Sequence, residues 1–321
     1  MRAVRIHTFG PPEVVVLEDM PAPVPEAREV LVRVMAAGVA PWDALIREGK
    51  SKVSPEPPLT LGSDLAGVVE VVGSDVKEFK PGDEIYGVTN AQFVGAQAEY
   101  AIAQVGMIAL KPNSLSFLEA ASAPVVAVTA WQMLFEYAQV KRGHTVLVLG
   151  AAGNVGAYLV QMALNAKVNV IAVVRMRDAE FVRGLGVERI VDADTKNLAE
   201  GLSGINAILD LVGGDLAERA MPALKLGGKV VSVVSVNPLP RWPEVPAAFF
   251  YAEVSTARLE KLTELFEAKK ISPRLGSVLP LAQARHAHEM LAGAPHNPGK
   301  VVLEIVPSRW SPIPGADAPR A

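Results

Sequence analysis

Val146-Leu147-Val148-Leu149-Gly150-Ala151-Ala152-Gly153-Asn154-Val155-Gly156 decides how this chain reads. Its first four residues continue an apolar run from Thr145, the pattern of a strand buried on both faces. Residues 154–166 then repeat apolar side chains at Val155, Leu159, Met162 and Ala163, which predicts a helix packed on that strand. The connection is Ala-x-Gly-x-x-Gly, with Ala151 where the dinucleotide fingerprint has its first glycine and Gly150 just ahead of it. In that setting Gly153 lets the backbone approach a pyrophosphate and Gly156 lets the helix pack on the strand. The pyrophosphate lies at the positive helix N-terminus, along Ala152, Gly153, Asn154 and Val155. A tight β–α turn in another α/β fold, including a methyltransferase-like one, is the competing reading.

Outward from this loop, apolar runs at 168–174, 189–191, 205–212 and 229–236 alternate with helical stretches, and an edge strand falls near 249–252. The alternation predicts right-handed crossovers and a doubly wound parallel sheet, a Rossmann domain over 123–255. Residues 1–122 read differently, with short β-like runs at 14–17, 30–34, 66–72 and 84–87 broken by Pro11-Pro12, Pro57-Pro58 and Pro81-Gly82-Asp83. A helix over 256–269 and a strand over 301–305 follow, and residues 307–321 read as a frayed tail.

The end of the second predicted strand addresses the cofactor. An NAD site places Asp or Glu there, on the ribose 2′-hydroxyl. This chain has Val173-Val174-Arg175-Met176-Arg177, with no acid before Asp178. Arg175 and Arg177 suit a 2′-phosphate, which predicts NADPH. The alternative is two solvated arginines ahead of a helix capped by Asp178.

Composition narrows the field. Of 321 residues, 50% are hydrophobic and 20% charged, with a net charge of −3, so two domains with sizeable cores are expected. No long basic run offers a nucleic-acid partner a binding surface. The absence of cysteine excludes disulfides, thiolate catalysis and cysteine-ligated zinc or iron–sulfur centres. Met1–His7 has no apolar leader pattern, and the run 123–130 falls short of the roughly 20 residues that span a bilayer. A cytoplasmic protein with no membrane partner is expected. His286 and His288, at i, i+2, fall on different helical faces and read as surface residues rather than metal ligands.

The chain resembles the zinc-independent medium-chain dehydrogenase/reductases of the quinone oxidoreductase-like group. The resemblance rests on Phe9-Gly10-Pro11-Pro12-Glu13-Val14, Gly38-Val39-Ala40-Pro41-Trp42-Asp43, Gly62-Ser63-Asp64-Leu65-Ala66-Gly67 and Pro81-Gly82-Asp83-Glu84-Ile85-Tyr86-Gly87. It continues through Thr129-Ala130-Trp131, the glycine loop with Gln161, and Gly299-Lys300-Val301-Val302-Leu303. It implies a mostly β, GroES-like catalytic domain from 1–122 and 256–306 around the Rossmann insert, and a homodimer formed through an edge strand within 247–254. It implies NADPH as hydride donor to a quinone or an α,β-unsaturated carbonyl, both small molecules, with no metal.

At the positions of the zinc enzymes' ligands stand Ala40 and Ser63-Asp64. Without a Lewis acid to stabilise an alkoxide, reduction of an electron-poor acceptor is the natural chemistry. The resemblance also carries over Thr129, Val212, Ser235, Val236, Asn297 and Lys300 as cofactor-side residues. Trp42, Asp43 and Tyr86 are its substrate-side candidates, Tyr86 as a possible proton donor. Trp42 reads equally as a stacking platform for a flat acceptor and as core packing. Asp43 and Asp64 read as structural hydrogen bonders. Two departures stand out: Ala40 replaces the usual Asn near the nicotinamide, and Ala193 replaces a frequent Tyr near the 2′-phosphate. The Ala40 departure motivates an alternative reading, an NADPH-binding protein with little turnover that acts as a regulator or partner subunit.

Overall fold

The computed structural model describes residues 1–237, 239 and 241–305, so the expected tail at 307–321 lies outside the described residues. In chain order the strands begin with β1 (Arg2–Ile6), β2 (Val16–Asp19), β3 (Glu29–Val39) and β4 (Leu59–Thr60). Next come β5 (Asp64–Val72), β6 (Glu84–Val88), β7 (Tyr100–Gln104) and β8 (Ile108–Leu110). The parallel series is β9 (Thr145–Leu149), β10 (Asn169–Val174), β11 (Arg189–Asp192), β12 (Ile205–Asp210), β13 (Leu224–Ser232) and β14 (Ala247–Phe249), and β15 (Leu275–Pro280) and β16 (Lys300–Glu304) close the chain. The helices are α1 (Pro41–Arg47), α2 (Phe117–Ala121), α3 (Pro124–Trp131), α4 (Asn154–Asn165), α5 (Ala179–Gly184), α6 (Leu216–Ala220), α7 (Thr256–Glu267) and α8 (Ala284–Leu291).

Two compact units result. The first takes Met1–Pro124, Val254–Thr263 and the described residues from Leu275; the second takes Val125–Glu253 and Glu264–Arg274. Residues 264–274 thus join the Rossmann unit, although a division read along the chain puts them with the other. Phe266 meets Tyr158 edge-on with ring centroids 6.0 Å apart. Gln161 accepts from the Ser272 amide at 2.8 Å and donates to the Ser272 carbonyl at 3.1 Å.

The second unit holds the parallel sheet, in the order β11-β10-β9-β12-β13-β14 among the described residues. Every pairing along it is parallel, so the order turns back on either side of β9, the arrangement that opens a ligand crevice at the strands' carboxyl ends. Leu147, Leu149, Ile171, Val173, Ile208 and Val230 fill one face. The strands β12 and β13 stop at Asp210 and Ser232, short of the expected 212 and 236, where the Asp210 side chain takes the amides of Val212 and Gly213 and the Ser232 side chain those of Val234 and Ser235. β14 forms the sheet's edge, slightly earlier than the run at 249–252 suggested.

The first unit is built on a mixed sheet, β15-β16-β3-β5-β6-β8 with β7 also on β3, beside a small β2-β1-β4 sheet. Val32, Val34, Leu65, Ile85, Ile108 and Leu303 form its interior. Among the described residues no helix is long and apolar enough to cross a membrane.

Candidate functional site

The glycine loop follows β9 in a shape only small residues permit. Gly150 sits at φ +86°, which supplies the turn that Ala151 leaves to it. A Cβ on Gly156 would lie 2.3 Å from the Gly150 carbonyl oxygen and 2.8 Å from Ala151, so α4 packs directly on the loop backbone. A Cβ on Gly153 would have only the Gly150 oxygen nearby, at 3.4 Å; a side chain there would fill the open side of the loop. Gly153 is also the N-cap of α4, so the first amides of that helix lack intrahelical partners. An open backbone cradle at a helix N-terminus fits a dinucleotide pyrophosphate.

β10 ends at Val174, and Arg175 and Arg177 stand exposed just beyond it. Asp178 does not cap α5 with its side chain; its carboxylate lies 3.7 Å from Arg177 Nε. The capping alternative for this segment is therefore not what the side chain does.

At the ends of β12 and β13, two buried residues that sequence reasoning missed organise the neighbouring loops. Asp210 accepts from the Val212 and Gly213 amides at 3.1 and 2.9 Å and from the Ser232 hydroxyl at 2.9 Å. Ser232 accepts in turn from the Val234 and Ser235 amides at 3.2 and 3.0 Å. The signal was present as a polar residue ending each apolar run, Asp210 and Ser232. Val212, Val234 and Val236 are held exposed by this arrangement, 56%, 50% and 77% respectively, an apolar rim on the sheet's carboxyl edge. Thr129 sits inside α3 and gives its hydroxyl to the Val125 carbonyl at 2.7 Å.

The first unit gathers its own polar cluster. Proline at the first position starts α1, and Asp43 reaches back to accept from the Ala40 amide at 2.8 Å. The other oxygen of Asp43 is buried without a hydrogen-bond partner, and burial pushes its carboxyl up to about 7 against the pull of Lys300. Lys300, which the resemblance places at the cofactor, is fully buried with its ammonium 2.8 Å from Asp64. That ammonium also lies 4.3 Å from the centre of the Trp42 ring. Trp42 is half-buried, packs against the core and donates its indole N–H to Ser63 at 3.0 Å. One face of Trp42 is thus taken by a cation, which favours the packing role over the stacking one.

Tyr86 spends its proton elsewhere. Its hydroxyl donates to the Leu259 carbonyl at 2.7 Å and sits 3.0 Å from Thr263, and burial raises its pKa well above the phenol range. A hydroxyl so engaged is a poor proton donor. Asn297 is exposed and anchored through its backbone amide to Ser277 at 3.1 Å.

One histidine departs from expectation. His286 is exposed beside Glu289, but His288 is fully buried, with Nδ1 3.1 Å from an Arg47 nitrogen. Arginine only donates, so Nδ1 accepts and the ring proton rests on Nε2, which has no partner. Burial, with the Arg47 charge, pushes the His288 pKa down to about 3. The i, i+2 spacing separated the faces correctly but could not show that α1 brings a buried arginine to one of them.

A parallel sheet with a glycine-loop cradle is a dinucleotide-binding type of fold, and the chain carries a β-rich unit besides. The models for the alcohol dehydrogenase GroES-like domain and for zinc-binding dehydrogenase match residues 26–113 and 185–303. Quinone oxidoreductase of Lama guanicoe is 32% identical, over 94% of this chain and 97% of that protein. The chloroplastic NADPH-dependent alkenal/one oxidoreductase of Arabidopsis thaliana is also 32% identical, over 96% and 80%. The quinone oxidoreductase structure from Coxiella burnetii superimposes with a TM-score of 0.87 at 31% identity, covering 95% of this chain and 99% of that one. The chain belongs to the quinone oxidoreductase-like family of medium-chain dehydrogenase/reductases and is an oxidoreductase.

Proposed function

We propose that this oxidoreductase uses NADPH to reduce quinones or α,β-unsaturated carbonyls without a metal, as a cytoplasmic homodimer. The observation that carries the reading is the sheet's carboxyl edge, where the open side of Gly153 is followed by exposed Arg175 and Arg177 in place of the acid an NAD site needs. The names of the quinone and alkenal/one oxidoreductase relatives support the acceptor class. Bound nicotinamide supplies the hydride. The amides of Asn154 and Val155 hold the pyrophosphate over the open side of Gly153, whose own amide closes the turn onto the Gly150 carbonyl, and Arg175 and Arg177 pair with the 2′-phosphate. Val212, Ser235 and Val236, positioned by Asp210 and Ser232, line the nicotinamide side.

Metal independence is supported by the Asp64–Lys300 pair, since the carboxylate at the zinc enzymes' ligand position is already neutralised by a buried ammonium. With the Tyr86 proton committed to Leu259, solvent protonates the reduced product. The dimer reading is supported by β14 at the sheet edge and by exposed Tyr251 packed edge-on against Phe249 at 5.0 Å.

A second reading, binding with little turnover, is favoured by Ala40 and by the engagement of both the Thr129 and Tyr86 hydroxyls with backbone carbonyls. Anaerobic oxidation of NADPH and NADH against a panel of ortho-quinones, para-quinones and enones separates the two. Turnover preferring NADPH upholds the reductase; tight NADPH binding with no turnover selects the binding protein. Gly153→Val is expected to abolish NADPH binding and keep the fold, and unchanged affinity would refute the placement.

A further inference from the structure

Arg274 occupies a position that no glycine motif and no basic run in the sequence singles out. It is the last residue of the segment 264–274 that joins the Rossmann unit. One guanidinium nitrogen donates to the carbonyl of Ala152 in the glycine loop. Its central carbon lies 3.5 Å from the centre of the Phe181 ring, in the first turns of α5. Partial burial lowers its pKa from the usual arginine value, and the carboxylate of Asp178 acts in the opposite direction. Asp178 also holds Arg177, at 3.7 Å.

These contacts locate the group. The glycine loop is where the pyrophosphate lies, and the stretch between β10 and α5 is where a dinucleotide fold meets the ribose 2′ position. A guanidinium touching Ala152 on one side and Phe181, in the first turn of α5, on the other sits between the loop and the helix that follows that stretch. The ring fixes its plane and the carbonyl fixes its rotation. Of five N–H donors in a rigid fork, one is used by Ala152, and an oriented fork is what bidentate phosphate recognition needs. Asp178, the first acid after β10 and a repellent to a phosphate, is paired with Arg177 at 3.7 Å and attracts the Arg274 charge. Arg175, two residues before Arg177, is exposed just beyond β10.

We infer that Arg274 is a specificity-determining residue that completes the 2′-phosphate site from outside the β10–α5 loop, selecting NADPH over NADH. The inference rests on the NADPH reading above and adds a residue to it. The competing role for Arg274 is a brace that only holds the glycine loop in shape. A brace would serve every dinucleotide alike, because all of them place the same pyrophosphate on that loop.

Calorimetric titration of the full chain distinguishes the two roles with four probes: NADPH, NADH, adenosine 2′,5′-bisphosphate and 5′-AMP. The wild type is expected to favour NADPH and the bisphosphate. In Arg274→Met, both are expected to bind about ten-fold more weakly, the loss of a charge-assisted pair, while NADH and 5′-AMP change less than about two-fold. Arg274→Lys keeps the charge without the fork and is expected to fall between; it also carries the test should the Met variant fail to fold by circular dichroism. Equal losses for NADPH and NADH, or an unchanged ratio beside an intact wild-type preference, would overturn the inference and leave the NADPH reading standing. A wild type that binds NADH as tightly as NADPH would overturn that reading, and Arg274 selectivity with it.

Discussion

At the carboxyl edge of the parallel sheet, Arg175 and Arg177 stand exposed beyond β10, with Arg177 3.7 Å from Asp178. In the β-rich unit, Arg47 and Lys300 are fully buried, one against His288 and the other between Asp64 and the Trp42 ring. The same residue types serve opposite ends. An exposed guanidinium keeps its hydration and its charge available for a ligand. A buried ammonium has given up water and is tolerable only because its partners replace it. The first arrangement leaves charge at the surface, where a ligand could meet it; the second holds a frame.

The largest expected effect tests the frame. Lys300→Met leaves Asp64 buried without its cation, beside an already unsatisfied Asp43, and is expected to cost about 3–5 kcal/mol in urea unfolding. Adding Asp64→Leu to Lys300→Met is expected to restore most of that loss; no recovery would mean the pair is not the source. Gly156→Val comes next, expected to destabilise by about 1–3 kcal/mol or more because its Cβ meets the Gly150 carbonyl. Gly153→Val is expected to leave the unfolding midpoint nearly unchanged, so similar losses in both would erase the distinction between packing and cradle.

The buried groups also predict a pH signature that exposed ones lack. His288 sits at about 3 in the folded chain, below its ordinary value of 6.5, so the unfolded chain binds the extra proton. Its contribution to stability is present above pH 6.5 and is lost as pH falls toward 3. Asp43 sits at about 7 against an ordinary 3.8, so the folded chain binds the proton. Its contribution is present below pH 3.8 and is lost as pH rises through 7. The two slopes oppose each other between about pH 4 and 6.5. Relative to wild type, His288→Gln is therefore expected to lose stability as pH rises through that window, at about 1.4 kcal/mol per unit. Asp43→Asn is expected to show the reverse slope, and parallel profiles for all three proteins would discard the assignment.

The smallest effect belongs to the exposed pair. Arg175→Ala and Arg177→Ala are each expected to weaken NADPH binding by about ten-fold. Their unfolding free energies should stay within about 0.5 kcal/mol of wild type. A stability loss rivalling that of Lys300→Met would show that these arginines are framework after all.

Much of the second unit was legible because its cues are local. A strand buried on both faces shows as an unbroken apolar run, and β9 falls on the expected residues, Thr145–Leu149. A turn that requires φ > 0 shows as glycine, as at Gly150. The helix α1 was harder to see, since a seven-residue helix with two buried polar side chains carries little periodicity. The Asp64–Lys300 and Arg47–His288 pairs were invisible as pairs, because their members lie 236 and 241 residues apart.

From its sequence alone, this chain declared a parallel α/β unit, a glycine-loop cradle, and arginines where an acid would mark NAD. Periodicity and glycine placement are properties of neighbouring residues, so no distant contact is needed to read them. Which charges are free and which are spent was decided only by the tertiary structure. Whether Lys300 meets a ligand or Asp64, whether Tyr86 offers a proton or donates it to Leu259, and whether Arg274 reaches the glycine loop all depend on partners supplied by distant segments. Burial turns that choice of partner into a large free-energy difference, and composition carries no record of it.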